Sequence, residues 1–150
     1  MRRALEKARE GILLGNTPFG ACIVRNGDVF SCRHNEVWKH TDITAHAEVL
    51  AIRDACRDLG TIDLSDCVLY ATCEPCPMCF GAAHWARIPH IVYGASIRDS
   101  LNAGFNELTI SALTMKESGN SAVRLTGGVL KNEAIDLFLE WLGRKDRRAY

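Results

Sequence analysis

The alternation of apolar and polar positions divides the chain into short helices and strands. Residues 3–14 place Leu5, Ala8 and Ile12 at helical spacing, and Gly15-Asn16-Thr17-Pro18 breaks that helix. Residues 20–24 are a compact apolar run that predicts a buried strand. Asn26-Gly27 is a strong hairpin signal, so Val29-Phe30-Ser31-Cys32 is expected to return beside it. A polar loop follows from Arg33 to Asp42. From Thr44 to Leu59 the residues Ala47, Leu50, Ala51, Ala55 and Leu59 form a helical stripe, which Gly60 ends. The nearly continuous apolar run Cys67–Ala71 suits a central strand covered on both faces. Residues 76–87 predict a helix starting at Cys76, with Pro77 in its first turn. Ile91–Gly94 predicts a strand, and residues 98–118 one or two short helices with loops. Val123–Thr126 predicts a last strand, and Asn132–Leu142 an amphipathic helix before a basic tail ending at Tyr150. A hairpin followed by helix-linked strands predicts an α/β fold, a three-layer α/β/α sandwich with a mixed, mostly five-stranded sheet.

At 150 residues, 47% hydrophobic and 24% charged, the chain fits one soluble domain spanning residues 1–150. There is no internal repeat, no interdomain linker and no apolar run long enough to cross a membrane. The N-terminus lacks the apolar core of a signal peptide, so the expected location is cytoplasmic. Eighteen basic and eighteen acidic residues cancel, which disfavours a long nucleic-acid partner, because phosphate binding draws on a basic surplus. Seven cysteines is an odd count for a disulfide framework. Two lie in a C-x-x-C. The other five, Cys22, Cys32, Cys56, Cys67 and Cys73, are expected as buried small hydrophobes.

The chemistry concentrates in His46-Ala47-Glu48 and Pro75-Cys76-Pro77-Met78-Cys79. Catalytic zinc is usually held by three protein ligands with water in the fourth position. His46, Cys76 and Cys79 supply three ligands, and Glu48 is left free to move protons. Thiolates are favoured at a helix N-terminus, and the i, i+3 spacing puts both sulfurs on one side. His46 and Glu48, two apart, can share the site only if the metal sits at the helix end, with Thr44 or Asp42 as the cap. A redox C-x-x-C would leave the His-x-Glu unexplained. A structural zinc would want a fourth ligand, for which Cys73 or His84 are the candidates. H-x-E followed by P-C-x-x-C is the signature of zinc-dependent base deaminases.

These residues identify the chain as similar to the cytidine-deaminase-like superfamily over nearly its whole length. It most resembles the bacterial guanine deaminases and plant guanosine deaminases. The likeness rests on Pro18-Phe19-Gly20-Ala21, Thr44–Val49 with Ala51-Ile52-Arg53, and Cys73–Cys79 with Gly81-Ala82. Trp85-Ala86-Arg87, Ala103-Gly104-Phe105 and Tyr150 complete it. The resemblance implies one zinc ion per chain and deamination of a purine, guanine to xanthine, with Glu48 as the proton carrier. It implies that Glu107 assists proton transfer, and that Phe19, Asn35, Ala47, Trp85 and Tyr150 contact the substrate. It also implies a homodimer with an exchanged C-terminal segment. Gly104-Phe105-Asn106-Glu107 departs from the Gly-Phe-Asp-Asp of bacterial guanine deaminases by keeping the second acid one methylene longer. The alternatives are guanosine, cytosine or an aminotriazine as substrate, a tRNA adenosine deaminase supported by the basic Arg144, Lys145, Arg147 and Arg148, and a non-catalytic zinc-stabilised binding protein.

Overall fold

In the computed structural model, which describes residues 1–150, the Asn26-Gly27 turn closes with both residues at positive φ, 52° and 89°. That is hairpin geometry whose twist matches its strands. It joins β1 (Gly20–Arg25) to β2 (Asp28–His34) in antiparallel register. β3 (Cys67–Cys73) pairs antiparallel with β1 and parallel with β4 (His90–Ala95), and β5 (Arg124–Thr126) lies parallel to β4. The order is β2-β1-β3-β4-β5, the mixed five-stranded sheet expected from the pattern.

Helices cover both faces. On one side α1 (Arg2–Leu13) and α7 (Lys131–Leu142) bury Leu5, Ile12, Leu137, Phe138 and Trp141. On the other, α3 (Ala47–Leu59) and α4 (Pro77–Trp85) pack Ala51, Ile52, Phe80 and Ala83 against Ile23, Leu69 and Ile91. Gly20 lets α1 press against the end of β1, since a Cβ there would meet the Ala4 carbonyl oxygen and the Ala8 nitrogen. This close approach fixes Phe19 at the same end of the sheet as Cys73.

Two local expectations are corrected, and a third is made definite. The loop from Arg33 to Asp42 holds the end of β2 and a one-turn helix, α2 (Val37–His40), closed by Thr41 in the left-handed region. A single turn is too short to show a period. Residues 98–118 resolve into α5 (Ile97–Asn102) and α6 (Ala112–Ser118). Their starts were written in the sequence as caps. Ser96 and Asp99 form a reciprocal capping box, and the Ser111 hydroxyl accepts from Thr114 N at 3.0 Å. Finally, Cys22 and Cys32 are joined in a disulfide. They are direct cross-strand partners in the β1–β2 register, which linear spacing does not reveal. Cys56, Cys67 and Cys73 are free, with Cys67 and Cys73 buried and Cys56 half-buried. No helix is long and apolar enough to cross a membrane.

Candidate active site

α3 and α4 aim their N-termini at one point. His46 is the N-cap of α3 and Cys76 the N-cap of α4, with Pro77 at the first helical position. Both caps have extended backbone, so each side chain projects beyond its helix end. Cys79 follows one turn into α4. Thr44 and Asp42, expected as the cap of α3, instead form a turn before it, in which Asp42 Oδ1 accepts from Thr44 N at 2.8 Å and Thr44 Oγ1 at 2.6 Å. Placing His46 at the cap meets the demand of the two-residue spacing. The histidine points off the helix end while Glu48, in the first turn, turns inward toward the same place.

His46 Nδ1 lies 3.8 Å from Cys76 Sγ and 3.5 Å from Cys79 Sγ. Tetrahedral zinc with bonds of about 2.0 Å to nitrogen and 2.3 Å to sulfur would place these atoms roughly 3.5 Å apart. Both nitrogen–sulfur distances therefore suit the ion. All three ligand atoms lie within 4.8 Å of one another, and neither Cys73 nor His84 joins the group. His84 instead meets Ser121 Oγ at 3.0 Å, in another part of the fold. With three protein ligands rather than four, the arrangement is that of a catalytic zinc site rather than a structural one.

The Cys79 thiol beside Cys76 holds the Cys76 thiol down to about 4 against the opposing effect of burial, with His46 adding to it. Cys79 is correspondingly pushed up by its neighbour Cys76 and by burial. Burial lowers the His46 pKa, but Cys76, Glu48 and Glu107 outweigh it and raise the value on balance. Burial pushes the Glu48 carboxyl up to about 7. A cation at the three ligands favours the ionised forms of all these acids.

Two spaces adjoin the ligands. A cavity of about 20 Å³ is lined by Phe19, His46, Glu48, Glu74, Glu107 and Tyr150, among others. It is about the size of one water molecule. It faces a cleft of about 270 Å³ whose walls include Ile43, Met78, Phe105 and Leu108. Glu107 borders both, accepts from Ser100 Oγ at 2.9 Å, and has its pKa raised by burial. Phe19 packs edge-on against Phe105 at 4.8 Å between ring centres.

Asn35 is 1% exposed and held on three sides. Its backbone N–H donates to Phe19 O at 2.9 Å, its Oδ1 accepts from Val37 N at 3.1 Å, and its Nδ2 donates to the Tyr150 hydroxyl at 2.7 Å. The C-terminal tail thus folds over this chain's own site, where Tyr150 lies 5.5 Å from the His46 ring. Arg148 helps dock the tail, its guanidinium 4.9 Å over the Trp38 ring and its carbonyl accepting from Trp38 Nε1 at 3.0 Å.

The structure therefore brings together His46, Cys76, Cys79, Glu48, Glu107, Phe19, Asn35 and Tyr150, with Ala47 buried at the start of α3. It does not bring Trp85. That side chain is 81% exposed at the far end of α4 and borders a separate groove with Phe80, Gly81, His84 and Met115. Nine residues of helix beyond Cys76, roughly 13 Å, put the indole out of reach of the cleft. The apolar wall formed by Ile43, Met78 and Leu108 was not foreseen, because isolated apolar residues in polar loops carry no periodic signal. Ser100 was missed as well, and of Glu74 the sequence offered the turn with Pro75, whose backbone was expected to orient the amino group, but not the side-chain contacts.

Residues 1–95 match the model of the cytidine and deoxycytidylate deaminase zinc-binding region. The chain belongs to this deaminase family. The deaminase is 48% identical to the guanine deaminase of Bacillus subtilis (strain 168) over 108 residues, covering 71% of this chain and 69% of that protein. It is 34% identical to the tRNA-specific adenosine deaminase of the same organism, covering 99% of this chain and 92% of that protein. A solved guanine deaminase from Nitrosomonas europaea superposes with a TM-score of 0.84 at 31% identity, over 94% of this chain and 81% of that one. The chain is thus an enzyme of the zinc-dependent hydrolytic deaminase class.

One charged hub stabilises the loop that carries Asn35. Glu36, 3% exposed, meets Arg33 at 2.7 Å, His40 at 2.8 Å, Lys39 at 3.0 Å and His34 at 3.7 Å. Burial raises its pKa, but Lys39, His40 and Arg33 hold the carboxyl at about 2. The unfolded value is about 4.3, so the unfolded chain binds the proton first as pH falls. The stabilisation is present above about 4.3 and disappears as pH falls through about 2. Because Lys39 and His40 are largely exposed, screening trims the contribution to about 1–2 kcal/mol. Glu36→Gln should lower the urea-unfolding free energy by that amount at pH 7 and by less toward pH 3. An equal loss at both pH values would contradict the ion-pair account.

Proposed function

We propose that the deaminase converts guanine to xanthine and ammonia. The observation that carries this reading is the pair of carboxylates, Glu48 and Glu107, on one cavity beside the metal ligands. Replacing an amino group by oxygen requires a proton to leave water, a proton to reach a ring nitrogen, and a proton to reach the departing amine. When bound, the zinc ion supplies the acidity that makes water a nucleophile near neutral pH. Glu48, buried at the helix start, takes the water proton and returns it to the ring. Glu107, held by Ser100, serves the amine side. Phe19 offers a ring against the purine face, and Asn35, its amide engaged by Val37 N and the Tyr150 hydroxyl, holds the tyrosine that closes the cleft. With Tyr150 on Asn35, the cleft has the size of a free base more than that of a folded RNA loop.

This reading takes residues 1–150 as one domain carrying one zinc ion and working as a homodimer. The exposed Trp85 face of α4 is the surface such a dimer would cover, which would account for an 81% exposed tryptophan. An exchanged tail would place Tyr150 on a neighbour's site; in the isolated chain it closes its own.

The basic tail and the full-length similarity to a tRNA-specific adenosine deaminase favour a second reading, adenosine in an anticodon arm. Part of that tail is already engaged, since Arg144 pairs with Asp146 at 2.7 Å and Arg148 lies on Trp38. The test offers zinc-loaded protein guanine, guanosine, cytosine, adenine, an aminotriazine and an anticodon stem-loop RNA. Xanthine from guanine, with no inosine in the RNA, is expected. Salt-sensitive RNA binding with inosine formation would replace guanine by the second reading.

A further inference from the structure

Glu74 lies in the turn between β3 and α4, two residues before Cys76. Its two carboxylate oxygens accept from backbone donors far apart in the chain. Oε2 takes the Ile97 N–H at 3.1 Å and Oε1 takes the Ala112 N–H at 2.9 Å. Ile97 is the first residue of α5 and Ala112 the first of α6. Glu74 itself is anchored to the sheet, its N–H donating to Ala95 O at 2.8 Å. The stretch between the two amides carries Ser100, Phe105 and Glu107, and residues 103–111 have no strand or helix to hold them in place. One carboxylate therefore clamps both ends of the segment that presents Glu107, and it ties that segment to the turn bearing a metal ligand.

We propose that Glu74 is a positioning residue for the deamination, setting Glu107 against the cavity opposite Glu48. The proposal rests on the reading that Glu107 takes part in the reaction. Only a carboxylate provides an acceptor for each amide. Glutamine keeps one acceptor and turns an N–H toward the other donor, leaving one amide unpaired. Aspartate keeps the charge but is one methylene too short to reach both amides. Catalytic geometry tolerates little displacement, since a shift of about 1 Å can cost on the order of a hundredfold in rate.

The experiment measures kcat and KM for guanine, zinc content, and amide hydrogen exchange over residues 97–112. It uses the zinc-loaded full chain and the variants Glu74→Gln, Glu74→Asp, Glu107→Gln and the double Glu74→Gln/Glu107→Gln. Glu74→Gln and Glu74→Asp are both expected to retain zinc, to exchange faster over 97–112, and to lower kcat by about 10- to 100-fold with KM little changed. The double variant should be no slower than Glu107→Gln alone, because Glu74 acts through Glu107. Full activity in Glu74→Asp would mean that charge alone matters and would overturn the proposal. So would unchanged hydrogen exchange, or losses that multiply in the double variant. A Glu107→Gln variant with undiminished kcat would refute the role of Glu107 itself. A slow Glu107→Gln beside a fast Glu74→Gln removes only the positioning role.

Discussion

Glu48→Ala is expected to keep its zinc and to lose turnover by about 10³-fold or more. The carboxyl stands 7% exposed in the first turn of α3, beside the ligands without being one of them. Its removal leaves His46, Cys76 and Cys79 in place, so metal analysis should give the wild-type zinc content. Stability should hold or rise slightly, because burial opposes the ionisation of this group and truncation removes that cost. Loss of activity without loss of stability is the mark of a group retained for chemistry. Glu48→Gln, which preserves shape and lacks the transferable proton, should be as slow. Either variant keeping more than about a tenth of wild-type turnover would be incompatible with a principal proton carrier at this position.

Replacing a ligand should give the opposite pattern. In Cys76→Ser, Cys79→Ser or His46→Ala, zinc content is expected to fall toward zero, and melting temperature and activity should fall with it. Cys79 should show the largest fall in stability, since it is fully buried one turn into α4 whereas Cys76 sits at its more exposed cap. Chelation of the wild-type protein should lower its melting temperature in the same way, and added zinc should restore it. A ligand that binds only the folded state stabilises by about 2.7 kcal/mol at a hundred times its dissociation constant. A variant that lost activity but held its zinc as tightly as wild type would remove that residue from the ligand set.

The zinc centre was legible because its chemistry is encoded locally. His46 and Glu48 are two residues apart, Cys76 and Cys79 three apart, and one strand separates the pairs. The sheet was legible for a related reason. Asn26-Gly27 sets the hairpin, while Cys67–Ala71 and Ile91–Gly94 are apolar enough to mark buried strands. What escaped depends on contacts between distant segments. Cys22 and Cys32 meet only once the β1–β2 register exists. Glu74 clamps Ile97 and Ala112 through the fold, so nothing in the turn Cys73-Glu74-Pro75 announces it. Glu36 looked like one more charge in a polar loop, and burial among four basic side chains makes it a hub. Tyr150 and Asn35 were named from resemblance, and the hydrogen bond between them is a property of how the tail folds. Trp85 shows the limit of that route. A residue can match a family position while its own chain places it outside the cleft.

The most direct test of zinc-dependent guanine hydrolysis is to run the reaction in water enriched in ¹⁸O and weigh the product. The account predicts xanthine carrying one solvent oxygen for each ammonia released, formed by the zinc-loaded protein and not by the chelated one. Guanine recovered unchanged from the zinc-loaded protein, or turnover that survives complete removal of the metal, would contradict it.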